Sequence, residues 1–197
     1  MRKTYFQAGL DESGRGPLAG PVVACAVLLK SDFNGLLKSD FSGIRDSKKL
    51  SAGQREKFYN ILTNHPRIEW GIGRVSEKMI DKINILQATK LAMKKAVRKL
   101  RREPDSLILD GNFKINLAIP QKSVVKADEK IFSCMAAGII AKVTRDRIMQ
   151  RYHKKYPQYG FDKHKGYPTK HHFKMMKKHG PSKIHRRTFG PVQSFSR

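Results

Sequence analysis

Carboxylates are scarce in this chain, 16 Asp and Glu against 41 Lys and Arg in 197 residues, so any pair of them set close together invites a chemical explanation. Cysteine is almost missing. Cys25 and Cys134 each sit among apolar residues without CxxC spacing, which excludes a disulfide framework or a cysteine zinc site and leaves buried free thiols. No apolar run approaches the ~18 residues a membrane span needs. The start, Met1-Arg2-Lys3-Thr4-Tyr5-Phe6, passes directly into strand-like sequence without a signal-peptide core, so a cytoplasmic protein is expected. Internal repeats are also lacking.

What the chain has in excess is positive charge, +25 at neutral pH. Such a balance points to a polyanionic partner, nucleic acid first, because each phosphate contact releases counterions. Residues 145–197 hold 15 Lys and Arg against two Asp, and six of the seven histidines. An anionic membrane surface would call for an amphipathic basic helix with bulky apolar anchors, which this region supplies only weakly. The length suits one domain. We expect a core over 1–152, completed by a basic loop, short helix and C-terminal arm over 153–197.

Residues 4–10 and 22–29 read as strands, the second apolar throughout and therefore covered on both faces. A third strand is expected over Ile68–Val75. Ser51 can cap a helix beginning at Ala52. The clearest helix runs from Ser76 to Arg102, with Ile80, Ile83, Leu86, Met93, Ala96, Val97 and Leu100 at three- and four-residue steps. Short strands follow at 106–110 and 123–125, then a long helix from Asp128 to Tyr152 in which Ala136-Ala137-Gly138 would let another element approach closely. A short helix is expected over Thr169–His179. This order gives an α/β fold, a mixed sheet flanked by helices, with a small helical basic C-terminal portion.

Asp11 and Glu12 end the first strand beside the turn Gly14-Arg15-Gly16. Neighbouring strand residues face opposite ways, so both can serve one site only if the strand ends and twists at Glu12. Gly14-x-Gly16-x-x-Ala19 fits a dinucleotide fingerprint, but that motif opens a helix and here a strand follows. Asp110 closes an apolar strand, and taken alone it reads first as a turn residue before Gly111. Asp128 reads equally as a first-turn helix acid. Two-metal phosphoryl chemistry needs several convergent carboxylates, which favours taking the four together. Lys48 and Lys49 could hold a substrate phosphate or form a solvated charge pair. Tyr167, an aromatic among cations, could cover the tail or stack on a sugar or base. His164, His171, His172, His179 and His185 show no closed metal spacing.

DESGRGPLAGPV at 11–22, RDSKKL at 45–50, LDG at 109–111, KAD at 126–128, AKVTRDR at 141–147 and HKGYPT at 164–169 together resemble the bacterial ribonuclease HII family, in order and at compatible spacing. The resemblance implies a ribonuclease H-like core and cleavage of RNA in RNA–DNA hybrids and at ribonucleotides within duplex DNA, leaving 3′-hydroxyl and 5′-phosphate ends. It implies Asp11, Glu12, Asp110 and Asp128 as catalytic ligands of two Mn²⁺ or Mg²⁺ ions. Gly14, Arg15 and Gly16 would read the 2′-hydroxyl, Tyr167 would stack on the sugar, and Lys48 and Lys49 would meet phosphates. No membrane is involved, and a monomer is expected. Pro168 departs from the glycine often found after this tyrosine, and Glu129 from the small residue often found after the aspartate. The sister type, ribonuclease HIII, typically carries lysine in the glycine turn, where this chain has Arg15. The competing class is a non-catalytic basic RNA-binding protein, which would bind with steep salt dependence and no metal dependence.

Overall fold

The computed structural model describes residues 5–30, 41, 43–44 and 46–195. Thr4 of the first expected strand, Arg45 of the 45–50 motif and the last two residues of the arm lie outside them.

Strands β1 (Phe6–Ser13), β2 (Val22–Lys30) and β3 (Glu69–Val75) form an antiparallel meander, and β4 (Ser106–Asp110) and β5 (Gln121–Val124) continue the sheet in parallel from the other edge of β1. The order is β3-β2-β1-β4-β5, which leaves β1 central. β2 is buried on both sides, as its unbroken apolar run requires. Its Ala24, Ala26 and Leu28 share one core with helix α2 (Glu77–Val97). Val23, Cys25 and Val27 share another with α1 (Ala52–Asn64) and α4 (Phe132–Lys155).

Local chemistry sets the helix ends. Ser51 Oγ accepts from the Gln54 amide while Gln54 Oε1 accepts from the Ser51 amide, a reciprocal cap of about 1 kcal/mol on α1. Ser76 caps α2, which is interrupted at Asn84 (φ 63°) and stops at Val97, short of the expected Arg102. There the Glu69 carboxylate takes the amides of Arg101 and Arg102 and turns the chain away.

The helix expected over Asp128–Tyr152 is two. A short α3 (Ala127–Lys130) ends at Ile131, whose extended backbone (φ −119°, ψ 115°) turns its side chain toward Ile108 and Cys134 before α4 begins. Beyond α4 come a 3₁₀ turn (Pro157–Tyr159), α5 (Phe161–His164), α6 (Lys170–His179) and α7 (Gly190–Gln193). The end of the chain, expected as a basic arm, packs onto the rest of the structure. Ile184, His185, Arg186 and Val192 are buried, and His185 bridges to Ala19. Its apolar residues come singly, so no periodicity announced it. No helix among the described residues is long and apolar enough to cross a membrane.

Candidate active site

Parallel pairing of β1 with β4 places Leu10 against Leu109, so the next residues, Asp11 and Asp110, emerge side by side. The Ala127 amide, first in α3, donates to Asp110 Oδ1 at 2.8 Å, and this fixes the short helix that carries Asp128. Asp110 therefore serves the turn and faces the cluster at once. One carboxylate oxygen from each of Asp11, Asp110 and Asp128 lies within 4.8 Å of the others. Asp11 and Asp128 are buried and Asp110 is partly so.

Glu12 stands beside this triangle rather than in it. β1 does not end at Glu12 but continues through Ser13, so the pleat sends Glu12 to the opposite face from Asp11. Its Oε1 pairs with Arg15 Nη1 at 3.4 Å, while its Oε2 is buried without a hydrogen-bond partner among the described residues. Burial, reinforced by Glu12 and Asp110, holds the Asp11 carboxyl well above the usual carboxylate range. Burial likewise pushes Glu12 up to about 7 against the pull of Arg15, and raises Asp110 against the Ala127 amide. These groups crowd negative charge into a space where water cannot relieve it.

Lys48 answers part of that charge. It lies in a 3₁₀ turn capped by Asp46, and its Nζ sits 3.1 Å from Asp128 Oδ2, while Lys49 pairs with Glu129 at 3.5 Å. Burial lowers the Lys48 ammonium, but its hydrogen bond to Asp128 together with the charges of Asp128, Asp46 and Asp11 outweighs this and leaves its pKa raised. An ammonium on a carboxylate is a stand-in cation. Replacing Lys48 with Met should therefore raise Mn²⁺ affinity several-fold in calorimetric titration without nucleic acid; unchanged affinity would show that the ammonium does not compete there.

The glycine turn lies next to this cluster. Gly14 is buried at φ 102° and Arg15 and Gly16 are exposed. A Cβ on Gly16 would lie 3.8 Å from Tyr167 Cε1, so the tyrosine stands at the turn, the residue 40% exposed. Pro168 does not draw it away. The chain from Gly14 leads into β2, not a helix, which disposes of the dinucleotide reading. On the other side of Tyr167, a groove of about 580 Å³ between α1, α4 and the 163–167 loop is lined by Arg55, Lys142, Arg147, Lys163 and Lys165.

Three features escaped the sequence reading. Gly138 of α4 faces Asp11, and a Cβ there would collide with Asp11 Oδ2. Arg145 and Arg186 are fully buried, and among the described residues neither is bonded to a carboxylate. His172 and His185 bond to one another, Nε2 to Nε2, at 2.9 Å. Gly138 had a signal in its small-residue run. Arg145 lay in the AKVTRDR run without a role assigned to it, and Arg186 had no signal, because their partners are main-chain carbonyls that no side-chain pattern reveals.

A central strand that passes an aspartate to its parallel neighbour, with antiparallel strands on its other edge and helices on both faces, is the architecture of ribonuclease H-like enzymes. The crystal structure of ribonuclease H2 from Pyrococcus horikoshii has it too, at TM-score 0.79 and 29% identity over 96% of each chain. The ribonuclease HII family model matches residues 8–192. The ribonuclease HII of Acetivibrio thermocellus is 53% identical over 182 residues, 92% of this chain and 68% of that one. That of Bacillus velezensis is 50% identical over 188 residues, 95% of this chain and 71% of that one. The chain belongs to the ribonuclease HII family. It is a divalent-metal-dependent ribonuclease H, an endoribonuclease acting on RNA–DNA hybrids, and not a passive basic RNA-binding protein.

Proposed function

We propose that the chain cuts the phosphodiester on the 5′ side of a ribonucleotide, both in RNA–DNA hybrids and at single ribonucleotides in duplex DNA, leaving 3′-hydroxyl and 5′-phosphate ends. The observation that carries this reading is the juxtaposition of the aspartate triangle with an exposed glycine turn and Tyr167. The residues fit a pair of hard divalent cations. The donors are all oxygens, Glu12 Oε2 is buried without a partner, and an ammonium already lies on Asp128, which favours Mg²⁺ or Mn²⁺ over zinc. Asp11, Asp110 and Asp128 would hold the ions, with Glu12 turning inward to join them. When bound, such ions lower the pKa of water and neutralise charge on the phosphate.

The rest falls to the protein's own groups. Arg15 and Gly16 present backbone amides to the ribose 2′-oxygen, and Tyr167 packs against the sugar. A deoxyribose leaves those amides without a partner, which is how a polar site rejects the wrong substrate. Lys48 and Lys49 leave their acids to meet phosphates, and the Lys142, Lys163 and Lys165 side of the groove follows the backbone. We place the enzyme in the cytoplasm as a monomer, with 1–152 and 153–197 acting as one unit.

The test is a DNA duplex carrying one ribonucleotide, incubated with Mg²⁺, Mn²⁺ or chelator and resolved on a sequencing gel. Cutting 5′ to the ribonucleotide with either ion and none in chelator is expected. Equal cutting of all-DNA duplex, or cutting on the 3′ side, would sink the reading.

A further inference from the structure

The glycine turn is held from beneath by two buried guanidiniums. Arg186 Nε donates to Gly20 O at 3.0 Å, Nη1 to Arg15 O at 2.9 Å and Nη2 to Gly14 O at 2.6 Å. Arg145 Nε donates to Pro21 O at 3.0 Å, Nη2 to Ala19 O at 3.1 Å and Nη1 to Lys165 O at 3.0 Å. Both side chains are 0% exposed. Burying a charge without a counterion is costly, and six carbonyl dipoles are what offsets it here. Gly14 belongs to the same device, since a Cβ there would overlap the Arg145 side chain.

The geometry has a directional result. In a trans peptide the C=O and the following N–H point oppositely, and the chain has no cis peptide among its described residues. Drawing the Gly14 and Arg15 carbonyls inward onto Arg186 therefore turns the Arg15 and Gly16 amides outward. Neither amide has an acceptor among the described residues, and both residues are exposed. Two successive outward N–H groups make a small concave donor site.

A second tie reaches Tyr167. His172 Nδ1 lies 2.9 Å from the Tyr167 carbonyl and must donate to it, so its Nε2 accepts from His185 Nε2. His185 Nδ1 then accepts from the Ser182 amide at 2.8 Å. Burial keeps His172 at about 4 and His185 at about 3, so the chain of neutral rings stays intact at neutral pH. The Arg145 bond to Lys165 O and the Leu18 amide bond to Gly166 O, at 2.8 Å, join the two loops directly.

The geometry points to Arg145 and Arg186 as positioning residues that fasten the glycine turn and the Tyr167 loop into one surface, with Arg186 aiming the Arg15 and Gly16 amides at the ribose 2′-oxygen. The C-terminal segment is thus part of substrate selection. Burial draws the two guanidiniums down to about 10 and about 9, Arg186 also through the charge of Arg145, and both remain charged at neutral pH. This inference rests on the proposed reading of the 2′-hydroxyl by the turn. It adds which residues make that reading possible.

Arg186→Lys keeps the charge but cannot span three carbonyls in one plane. Loss of fixed geometry at a site of this kind costs about 100-fold. We expect kcat/KM on the single-ribonucleotide duplex to fall by about that factor. The affinity ratio between that duplex and all-DNA duplex, measured in chelator, should collapse toward one, with Mn²⁺ binding close to that of the native chain and a single cooperative melt at a lower temperature. A folded Arg186→Lys that keeps the native ratio overturns the inference. A native chain whose ratio is already one overturns the ribose reading instead. Should the variant fail to fold, the native chain decides: its ¹⁵N-labelled Arg15 and Gly16 amide signals should shift with the ribonucleotide duplex and not with all-DNA duplex. Equal shifts with both, in a chain that discriminates in cleavage, count against the aimed amides.

Discussion

Asp110→Asn is expected to lower cleavage at least about a thousandfold, about 4 kcal/mol of transition-state stabilisation, while leaving the fold intact. The amide keeps an Oδ1 that can accept from Ala127 N, so α3 and with it Asp128 stay in place. What disappears is a charge facing Asp11 and Asp128 and one of three oxygens lying within 4.8 Å of one another. Hybrid binding, carried by the lysines and the turn, should change little. The same substitution should stabilise the ion-free protein, and the pH dependence gives its signature. Asp11, Glu12 and Asp110 all have folded pKa values above their unfolded ones. Stability from such groups is fully present below the unfolded value of about 4 and is lost as pH rises through the folded values, about 7 for Glu12. Measured in chelator, the melting-temperature advantage of Asp110→Asn should therefore widen from pH 5 to pH 8. Retained cleavage would remove Asp110 from the chemistry, and a collapsed fold would reduce it to a turn residue.

How much of this was legible in the sequence depended on whether the signal was local. β2 announced its two-sided burial because every residue of Val22–Leu29 is apolar, and the glycine turn that joins it to β1 was equally local. Asp110 was visible as an acid at a strand end, but its cap on Ala127, which ties β4 to α3, required a contact 17 residues away. Glu12 shows the reverse case. Sequence proximity to Asp11 suggested a shared site, whereas an unbroken strand puts neighbours on opposite faces, and what links Glu12 back to the acids is its unpartnered Oε2 and its charge coupling to Asp11 and Asp110. The helix break at Ile131 was hidden because the 3.6-residue pattern resumes almost in phase. Arg186 was least legible of all, since its partners lie 166–172 residues away and are backbone atoms.

Gly138→Ala should be nearly as damaging as losing Asp11, although alanine is the better helix residue by about 1 kcal/mol. Gly138 is buried in the second turn of α4, which crosses β1, and the added methyl would fall inside contact distance of Asp11 Oδ2 with Asp11 Cγ only 3.4 Å away. The other oxygen, Oδ1, accepts from the Glu12 amide at 2.7 Å, so the carboxylate cannot rotate freely without giving up a bond made in a buried site. Either α4 lifts from the sheet, at about 1–3 kcal/mol for overpacking, or Asp11 leaves the triangle. Asp11 is the cheaper group to move, because turning it also separates it from the charges of Glu12 and Asp110 that raise its pKa. We expect about a 100-fold loss of cleavage and weakened Mn²⁺ binding, with a melting temperature within a few degrees of the native chain. The double variant with Asp11→Asn separates the two routes. If the methyl acts through Asp11, it should cost almost nothing further in cleavage once Asp11 has gone, since residues acting as a unit are not additive. An additive loss would mean that α4 itself had shifted, and with it the Arg145 anchor two turns further along.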